Sequence, residues 1–319
     1  MVTIDDVCKL SGVSRSTVKR FLAGQQVRGQ NAKKIKSAMK ELGYRTDKLV
    51  EKRNCTIEII GGPDDTKPFF FQGFTEMFVN MIKALEKGGA TVLIQPGYTK
   101  YIPRADGIIL YALTAEREDE IISTLISRGI PFVCAYREIE RSGVSYVTCD
   151  NYLAAYQMTE MLINQGHTRI AVCGGDNISR NMPEKLQAFK DCMSAHRLNV
   201  DHNLINITNS ESEARAWSEE LLNRGEDFTA FFGLRDQLAI AFMETATKYG
   251  YKIPDDFSVV GMDGTAESLV SKPKLTSITI PFGEIGREAA ETIFELVDNP
   301  DKICIRKYLK HGIAYRESH

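Results

Sequence analysis

From Cys55 onward, short apolar runs alternate with longer stretches whose apolar residues recur at helical spacing. The runs predict buried strands, and the stretches between them predict amphipathic helices. The predicted strands are Ile57–Ile60, Thr91–Ile94, Gly107–Leu110, Phe132–Ala135, Val144–Cys149, Ile170–Cys173, Thr229–Phe232 and Ser258–Gly261. The predicted helices are Gln72–Lys87, Ala115–Ser127, Tyr152–Gln165, Pro183–Ala195, Glu211–Asn223, Gln237–Tyr249 and Phe282–Val297. This alternation is typical of parallel sheets covered by helices, so we expect an α/β body of two lobes with a small-molecule cleft between them.

Length and composition place this body in a water-soluble protein. The 319 residues, 43% of them apolar, are enough for two or three folded units. No run approaches the roughly 18 apolar residues that span a bilayer, and no apolar N-terminal segment predicts secretion, so we expect a cytoplasmic protein without membrane contact. The seven cysteines are scattered without a Cys-x-x-Cys pair, which favours reduced thiols. The five histidines show no metal-ligand spacing, and we expect no metal and no cofactor.

Charge divides the chain into two parts. Residues 1–53 hold 13 basic and 5 acidic residues, a net charge of +8, whereas the remainder carries 27 basic and 37 acidic residues, a net charge of −10. A small basic head on an acidic body predicts that the head alone meets a polyanion.

The head has the pattern of a helix-turn-helix. Thr3 and Asp6 have capping-box spacing, and Gly12 can take the positive φ of a tight turn. The segment Val13–Leu22 predicts a second helix, capped by Ser14, with one apolar stripe and several basic residues on its other faces. Asn31 is positioned to cap a third helix over Ala32–Leu42, ended by Gly43. A small all-α domain over residues 1–45 would place its second helix in the DNA major groove.

The segments Thr3–Val18 and Met39–Tyr44 resemble the N-terminus of the LacI/GalR family of bacterial transcription regulators. The resemblance continues in Leu162–Ala171, in Ile253–Asp263 and in the closing Arg316-Glu317-Ser318. It implies a helix-turn-helix head followed by a bilobed domain like the periplasmic binding proteins. It also implies a hinge at 46–54 and an effector domain over 55–319. We expect an N-terminal lobe of about 55–150 plus 282–300 and a C-terminal lobe of about 151–281 plus 301–319.

The family pattern implies that Arg15, Ser16 and Arg20 read base edges, and an arginine can indeed grip guanine with two hydrogen bonds. Candidates for phosphate contacts, which position the head without specifying sequence, are Thr3, Ser14, Thr17, Gln26, Asn31 and Lys33. Lys19 stands where the family has serine, and it either contacts a phosphate or is solvated.

The hinge departs from the family pattern, because Thr46-Asp47 replaces Pro-Asn and Arg53 stands in the position of a wedging leucine. An arginine unstacks bases poorly. It could instead sit in a narrow minor groove.

Five residues are implied to face the effector, namely Asp150, Lys185, Arg235, Asp263 and Phe282, and three further aromatic residues, Phe69, Phe70 and Phe71, could add a second wall. For each of these three residues the alternative is ordinary core packing. Lys185 replaces the usual arginine and cannot make a bidentate fork. Arg235 stands where the family often has asparagine, and its charge favours a carboxylated or phosphorylated ligand. The loop predicted for Gln95–Arg104 stands where the family has a helix.

We therefore expect a homodimeric transcriptional repressor that binds a near-palindromic double-stranded operator and responds to a sugar-like molecule. No heptad segment follows Arg316-Glu317-Ser318-His319, which favours a dimer over a tetramer. One alternative is a regulator of this family without a small-molecule effector, and another is a sugar-binding transport receptor. An enzyme is disfavoured, because His167 has no neighbouring nucleophile in the sequence and fits a structural turn.

Overall fold

The computed structural model describes residues 3–22, 27–42, 44, 55–61, 72–95, 105–175, 181–299, 301 and 304–319. The hinge at 46–54 lies outside the described residues, and so do Gly43 and residues 96–104 of the predicted loop. The same holds for Gln26, Arg53, Phe69, Phe70 and Phe71, to which DNA or effector contacts were assigned.

The head contains three helices, α1 (Ile4–Ser11), α2 (Arg15–Leu22) and α3 (Gly29–Glu41). Their shared core is formed by Val7, Val13, Val18, Ile35, Ala38 and Met39. The capping box at the start of α1 is formed in both directions, since Asp6 N–H donates to the Thr3 hydroxyl and Thr3 N–H donates to the Asp6 carboxylate. Gly12 ends α1 at a φ of 64°, which turns the chain into α2. The predicted helix-turn-helix is confirmed.

The third helix begins earlier than the sequence indicates, and the assignment of Asn31 as its cap is wrong. The carbonyl of Arg28 accepts from the N–H groups of Asn31 and Ala32, so the helical hydrogen bonds already begin at Arg28. Asn31 therefore lies inside the first turn, and Arg28 stands at the N-cap without a side-chain hydrogen bond. Gly29 and Gln30 adopt helical geometry that local sequence preferences do not require.

The first sheet of the body has the strand order β11-β5-β4-β3-β1-β2, and all its neighbouring strands are parallel. Its strands are β1 (Thr56–Gly61), β2 (Thr91–Gln95), β3 (Gly107–Tyr111), β4 (Phe132–Ala135), β5 (Ser145–Cys149) and β11 (Arg306–Leu309). Helices α4 (Gln72–Lys87) and α11 (Phe282–Asp298) pack together and cover one face, on which Ile57, Ile59 and Ile109 are buried. Helix α5 (Ala115–Arg128) covers the other face. This sheet and its helices form the N-terminal lobe.

The second sheet has the order β12-β10-β9-β8-β6-β7, and only β12 pairs in antiparallel fashion among these described strands. Its strands are β6 (Ile170–Cys173), β7 (Ile205–Asn206), β8 (Ala230–Gly233), β9 (Ser258–Asp263), β10 (Thr276–Thr279) and β12 (Gly312–Ala314). Its helices are α6 (Asn151–Asn164), α7 (Asn181–Ala195), α8 (Glu211–Arg224), α9 (Asp236–Lys248) and α10 (Ala266–Val270). These elements form the C-terminal lobe. The α/β class with two parallel-sheet lobes, expected from the sequence, is confirmed.

The chain crosses between the lobes after β5, after β10 and between β11 and β12. The expected lobe boundary is wrong for one segment, because β11 pairs with β5 and lies in the N-terminal lobe, whereas the sequence assigned all of 301–319 to the C-terminal lobe. The four residues of β11 alternate between exposed and half-buried positions, and this pattern does not indicate which sheet the strand joins. No helix of the described residues is long and apolar enough to cross a membrane.

Candidate DNA interface and effector site

The outer face of α2 carries the residues expected to read DNA. Val18 is fully buried in the head and anchors the helix. Arg15, Ser16 and Arg20 are exposed, and Lys19 is exposed with them. The helix therefore presents two arginines, a lysine and a serine to solvent while one stripe holds it to the core. This arrangement suits a helix that enters a groove of DNA.

Two residues expected to contact phosphates also cap helices. The Ser14 hydroxyl accepts from Thr17 N–H at 3.4 Å and shares a hydrogen bond with the Thr17 hydroxyl at 2.8 Å. The Thr3 hydroxyl belongs to the capping box of α1. Both side chains remain exposed, so capping leaves them accessible to a polyanion. On α3, Lys33 is exposed and Asn31 is half-buried.

Arg15 is paired within the head. Its Nε lies 3.4 Å from Oδ1 of Asp5, a residue in the first turn of α1. Both side chains are more than half exposed, at 61% and 55%. The sequence did not indicate this contact, because the two residues lie on different helices.

In the body, Lys185 and Asp263 meet as a buried ion pair. Lys185 lies in α7 and Asp263 ends β9, and each is at most 3% exposed. The Lys185 ammonium lies 3.3 Å from Asp263 Oδ1 and donates to the Leu234 carbonyl at 3.2 Å. No hydrogen bond from the described residues reaches Asp263 Oδ2. Burial raises the pKa of Asp263, and the charges of Lys185 and Arg235 oppose the rise.

The turn after β9 is held by a second buried carboxylate. Asp236, the first residue of α9, accepts from the Thr265 N–H at 2.6 Å, from the Thr265 hydroxyl at 2.9 Å and from the Ser277 hydroxyl. Burial and the neighbouring Asp263 raise the pKa of Asp236 to about 6. Because Asp236 ties β10 to the segment just beyond Asp263, it fixes the position of that residue. Asp263 itself has a φ of 125°, a backbone geometry that needs such support.

Arg235 precedes Asp236 and stands at the N-cap of α9. Its guanidinium donates to Asn209 Oδ1, and its charge opposes the rise in the pKa of Asp263. Lys185 and Asp263 thus meet at the carboxyl ends of β8 and β9, and Arg235 follows β8 by two residues, at the edge of the sheet where ligands of such folds bind.

Phe282 and Asp150 have structural partners. The Phe282 ring is 2% exposed, and its centroid lies 4.9 Å from that of Tyr136 and 6.2 Å from that of Phe74. Asp150 caps α6, where its Oδ1 accepts from Leu153 N–H at 2.7 Å. Phe282 thus packs among core residues in this structure.

Tyr136, which the sequence did not single out, bridges the lobes. It follows β4 in the N-terminal lobe with a φ of 60°, and its hydroxyl donates to Asn151 Oδ1 at 2.9 Å. Its carbonyl accepts from Asn181 Nδ2 at 2.9 Å, and both asparagines begin helices of the C-terminal lobe. Burial raises the pKa of Tyr136 well above its ordinary value, so the hydroxyl stays protonated and donates.

Arg137 holds the Tyr136 loop from the N-terminal lobe. Arg137 is 2% exposed and donates to the carbonyls of Tyr136 and Leu113. Its Nε lies 3.8 Å from Oε1 of Glu118. The position of Tyr136 directly after a buried strand could have indicated a site residue, because strand ends meet in the cleft. Asn181 offers no comparable pattern in the sequence.

Among the described residues, no group of three or more histidine, cysteine, aspartate or glutamate side chains is arranged to hold a metal ion. The two-lobed body and the helix-turn-helix head together define a class, that of helix-turn-helix proteins with a domain like the periplasmic binding proteins. Residues 3–47 match the family described as bacterial regulatory proteins of the lacI family, and residues 159–319 match the periplasmic binding protein-like domain. The chain belongs to the LacI/GalR family of bacterial transcription regulators.

Similar proteins agree with this assignment. The HTH-type transcriptional regulator CelR of Thermobifida fusca is 28% identical over 99% of this chain and 98% of its own. A solved complex of the regulator CelR with cellobiose superposes with a TM-score of 0.75, at 27% identity and full coverage of both chains. A LacI family regulator from Enterococcus faecium with bound ribose superposes with a TM-score of 0.70, at 25% identity over 82% of this chain and 98% of that one. The chain is a DNA-binding transcriptional regulator.

Proposed function

We propose that the protein acts in the cytoplasm as a homodimer on a near-palindromic operator, and that a sugar or sugar derivative bound between the lobes controls its affinity for DNA. The observation that carries the effector is the buried Asp263 carboxylate, whose Oδ2 has no hydrogen-bond partner among the described residues. The similarity to regulators solved with cellobiose and with ribose supports a carbohydrate. We infer a regulator and not an enzyme.

The chemistry of the site favours a ligand with hydroxyl groups. A buried carboxylate oxygen without a donor is costly, and a ligand hydroxyl would supply the missing hydrogen bond. The Lys185 ammonium offers a donor beside it, and the Arg235 guanidinium follows β8 at the same edge of the sheet, so one ligand could both donate to Asp263 and accept from a cation. The positive charge of Arg235 is also compatible with an acidic sugar.

DNA recognition is assigned to the exposed face of α2. Arg15, Ser16 and Arg20 are proposed to contact base edges, and Thr3, Ser14, Thr17, Asn31 and Lys33 are proposed to contact phosphates, together with Gln26 and Arg53 outside the described residues. The effector would act on this head through the lobes, by favouring one lobe arrangement over another. It can shift that equilibrium only as far as its affinities for the two arrangements differ.

Calorimetric titration of the full chain with neutral sugars, acidic sugars and sugar phosphates tests the proposal. We expect one class to bind, to change the apparent Kd for operator DNA, and to lose binding in Asp263→Asn. Lys248→Gln, an exposed substitution on α9, is the matched control and should bind like the wild type. Titrations without heat for every class would contradict a carbohydrate effector.

A regulator without a small-molecule effector is a second candidate, because Lys185 already neutralises the charge of Asp263 through Oδ1 and Phe282 is covered by Tyr136 and Phe74. In that case operator binding would be unchanged by every sugar.

A further inference from the structure

One acidic side chain of the head contacts a basic side chain on another helix. Three acidic residues lie in the described part of the head. Asp6 belongs to the capping box of α1, and Glu41 ends α3. Asp5 instead points to α2, where its carboxylate meets Arg15 at 3.4 Å.

An anion at this place is unfavourable for a protein that binds a polyanion, since it repels phosphates. Asp5 does stabilise the first turn of α1 through the helix dipole. That role needs no contact with Arg15, and Lys9, four residues along the same helix, is the usual kind of helical partner. The contact therefore brings a carboxylate to the residue that begins the groove-reading helix.

We propose that Asp5 is a positioning residue for Arg15 and thereby sets the base preference of the head. Since the contact is made by Nε, the two terminal nitrogens of the guanidinium form a fork that can point at guanine O6 and N7. The inference rests on the proposed role of Arg15 as a base reader.

The contact between Asp5 and Arg15 affects the free energy of the DNA-bound state. An exposed ion pair contributes little to the stability of the head in water. An arginine side chain, however, loses much rotamer freedom when it is fixed on a base edge. A side chain that is already oriented loses less on binding. Displacement of water from the interface also strengthens the attraction between Asp5 and Arg15.

The test uses the full chain and four forms: wild type, Asp5→Asn, Arg15→Ala and the double variant. The preferred duplex is first selected by the wild type from a random-sequence pool. Dissociation constants are then measured on that duplex, on duplexes with each single base-pair change, and on a scrambled duplex. Glu41→Gln removes the same charge from the head on α3 and serves as the matched control.

We expect Asp5→Asn to reduce discrimination about tenfold at the base pair that Arg15→Ala also stops reading. Binding to scrambled DNA should be kept or strengthened, which also shows that the head is folded. The double variant should discriminate no worse than Arg15→Ala alone, because the two residues act as one unit.

Two results would overturn the inference. Tighter binding to all duplexes with unchanged preference, as expected for Glu41→Gln, would make Asp5 a simple repelling charge. Lost discrimination at a different base pair, additive with Arg15→Ala, would make Asp5 a direct reader of cytosine. Failure of the proposed function would appear in the forms that keep Asp5. Either the wild type would select no sequence from the pool, or Arg15→Ala would keep the base preference of the wild type.

Discussion

The Tyr136 hydroxyl donates to Asn151 Oδ1 across the two lobes at 2.9 Å. Removal of the hydroxyl in Tyr136→Phe leaves the buried amide oxygen without this donor, while the ring keeps its contact with Phe282. We expect the lobe arrangement of this structure to lose about 1 kcal/mol of stability. Hydrogen exchange at the start of α6 should become faster.

Tyr146→Phe is the control for this prediction, because the Tyr146 hydroxyl bonds to the Tyr308 hydroxyl inside the N-terminal lobe. It should leave exchange at α6 unchanged. Equal exchange at α6 in both variants would refute the interlobe role of Tyr136.

The Lys185–Asp263 pair should behave as a unit. Lys185→Met leaves a buried carboxylate without its cation, and we expect the free energy of unfolding to fall by about 3 kcal/mol. Adding Asp263→Asn should restore much of that loss, because the remaining amide carries no charge. Urea unfolding of the single and double variants measures the coupling. Additive losses would mean that the two charges do not interact.

Lys19→Gln decides between a phosphate contact and a solvated side chain. A phosphate contact predicts uniformly weaker binding to all duplexes and a salt dependence shallower by about 0.9 in logarithmic slope. A solvated lysine predicts an unchanged slope. Lys248→Gln, on the C-terminal lobe and 73% exposed in its side chain, controls for the change in total charge.

Glu184 should make stability depend on pH near neutrality. Burial raises its pKa to about 7, and the carboxylates of Glu138 and Asp150 add to the rise against the charge of Lys185. The folded chain therefore keeps a proton that the unfolded chain releases, so stability falls as the pH rises from about 4.5 to about 7. Relative to Glu184→Gln, the wild type should lose free energy of unfolding over this range. The same pH dependence of the free energy of unfolding in both forms, measured with urea, would contradict the raised pKa of Glu184.

The sequence predicts features that depend on neighbours along the chain. The capping box of Thr3 and Asp6, the Gly12 turn and the buried strands all follow from local spacing. The resemblance to the LacI/GalR family, and not the strand pattern, implies that Lys185 and Asp263 share one site, and their side chains meet at 3.3 Å. The start of α3 was missed, because Gly29 has no intrinsic preference for a helix end there. Contacts between distant segments, such as Asp5 with Arg15 and Tyr136 with Asn181, leave no periodic pattern.

The three crossings between the lobes have a mechanical consequence. Each crossing begins or ends at one of the two outermost strands at one edge of a sheet, β11 and β5 in one lobe and β12 and β10 in the other. A single connecting segment would let one lobe swivel freely about it. With three connections, neither lobe can rotate about one of them without displacing the other two. A ligand that contacts both lobes therefore acts on all three connections at once.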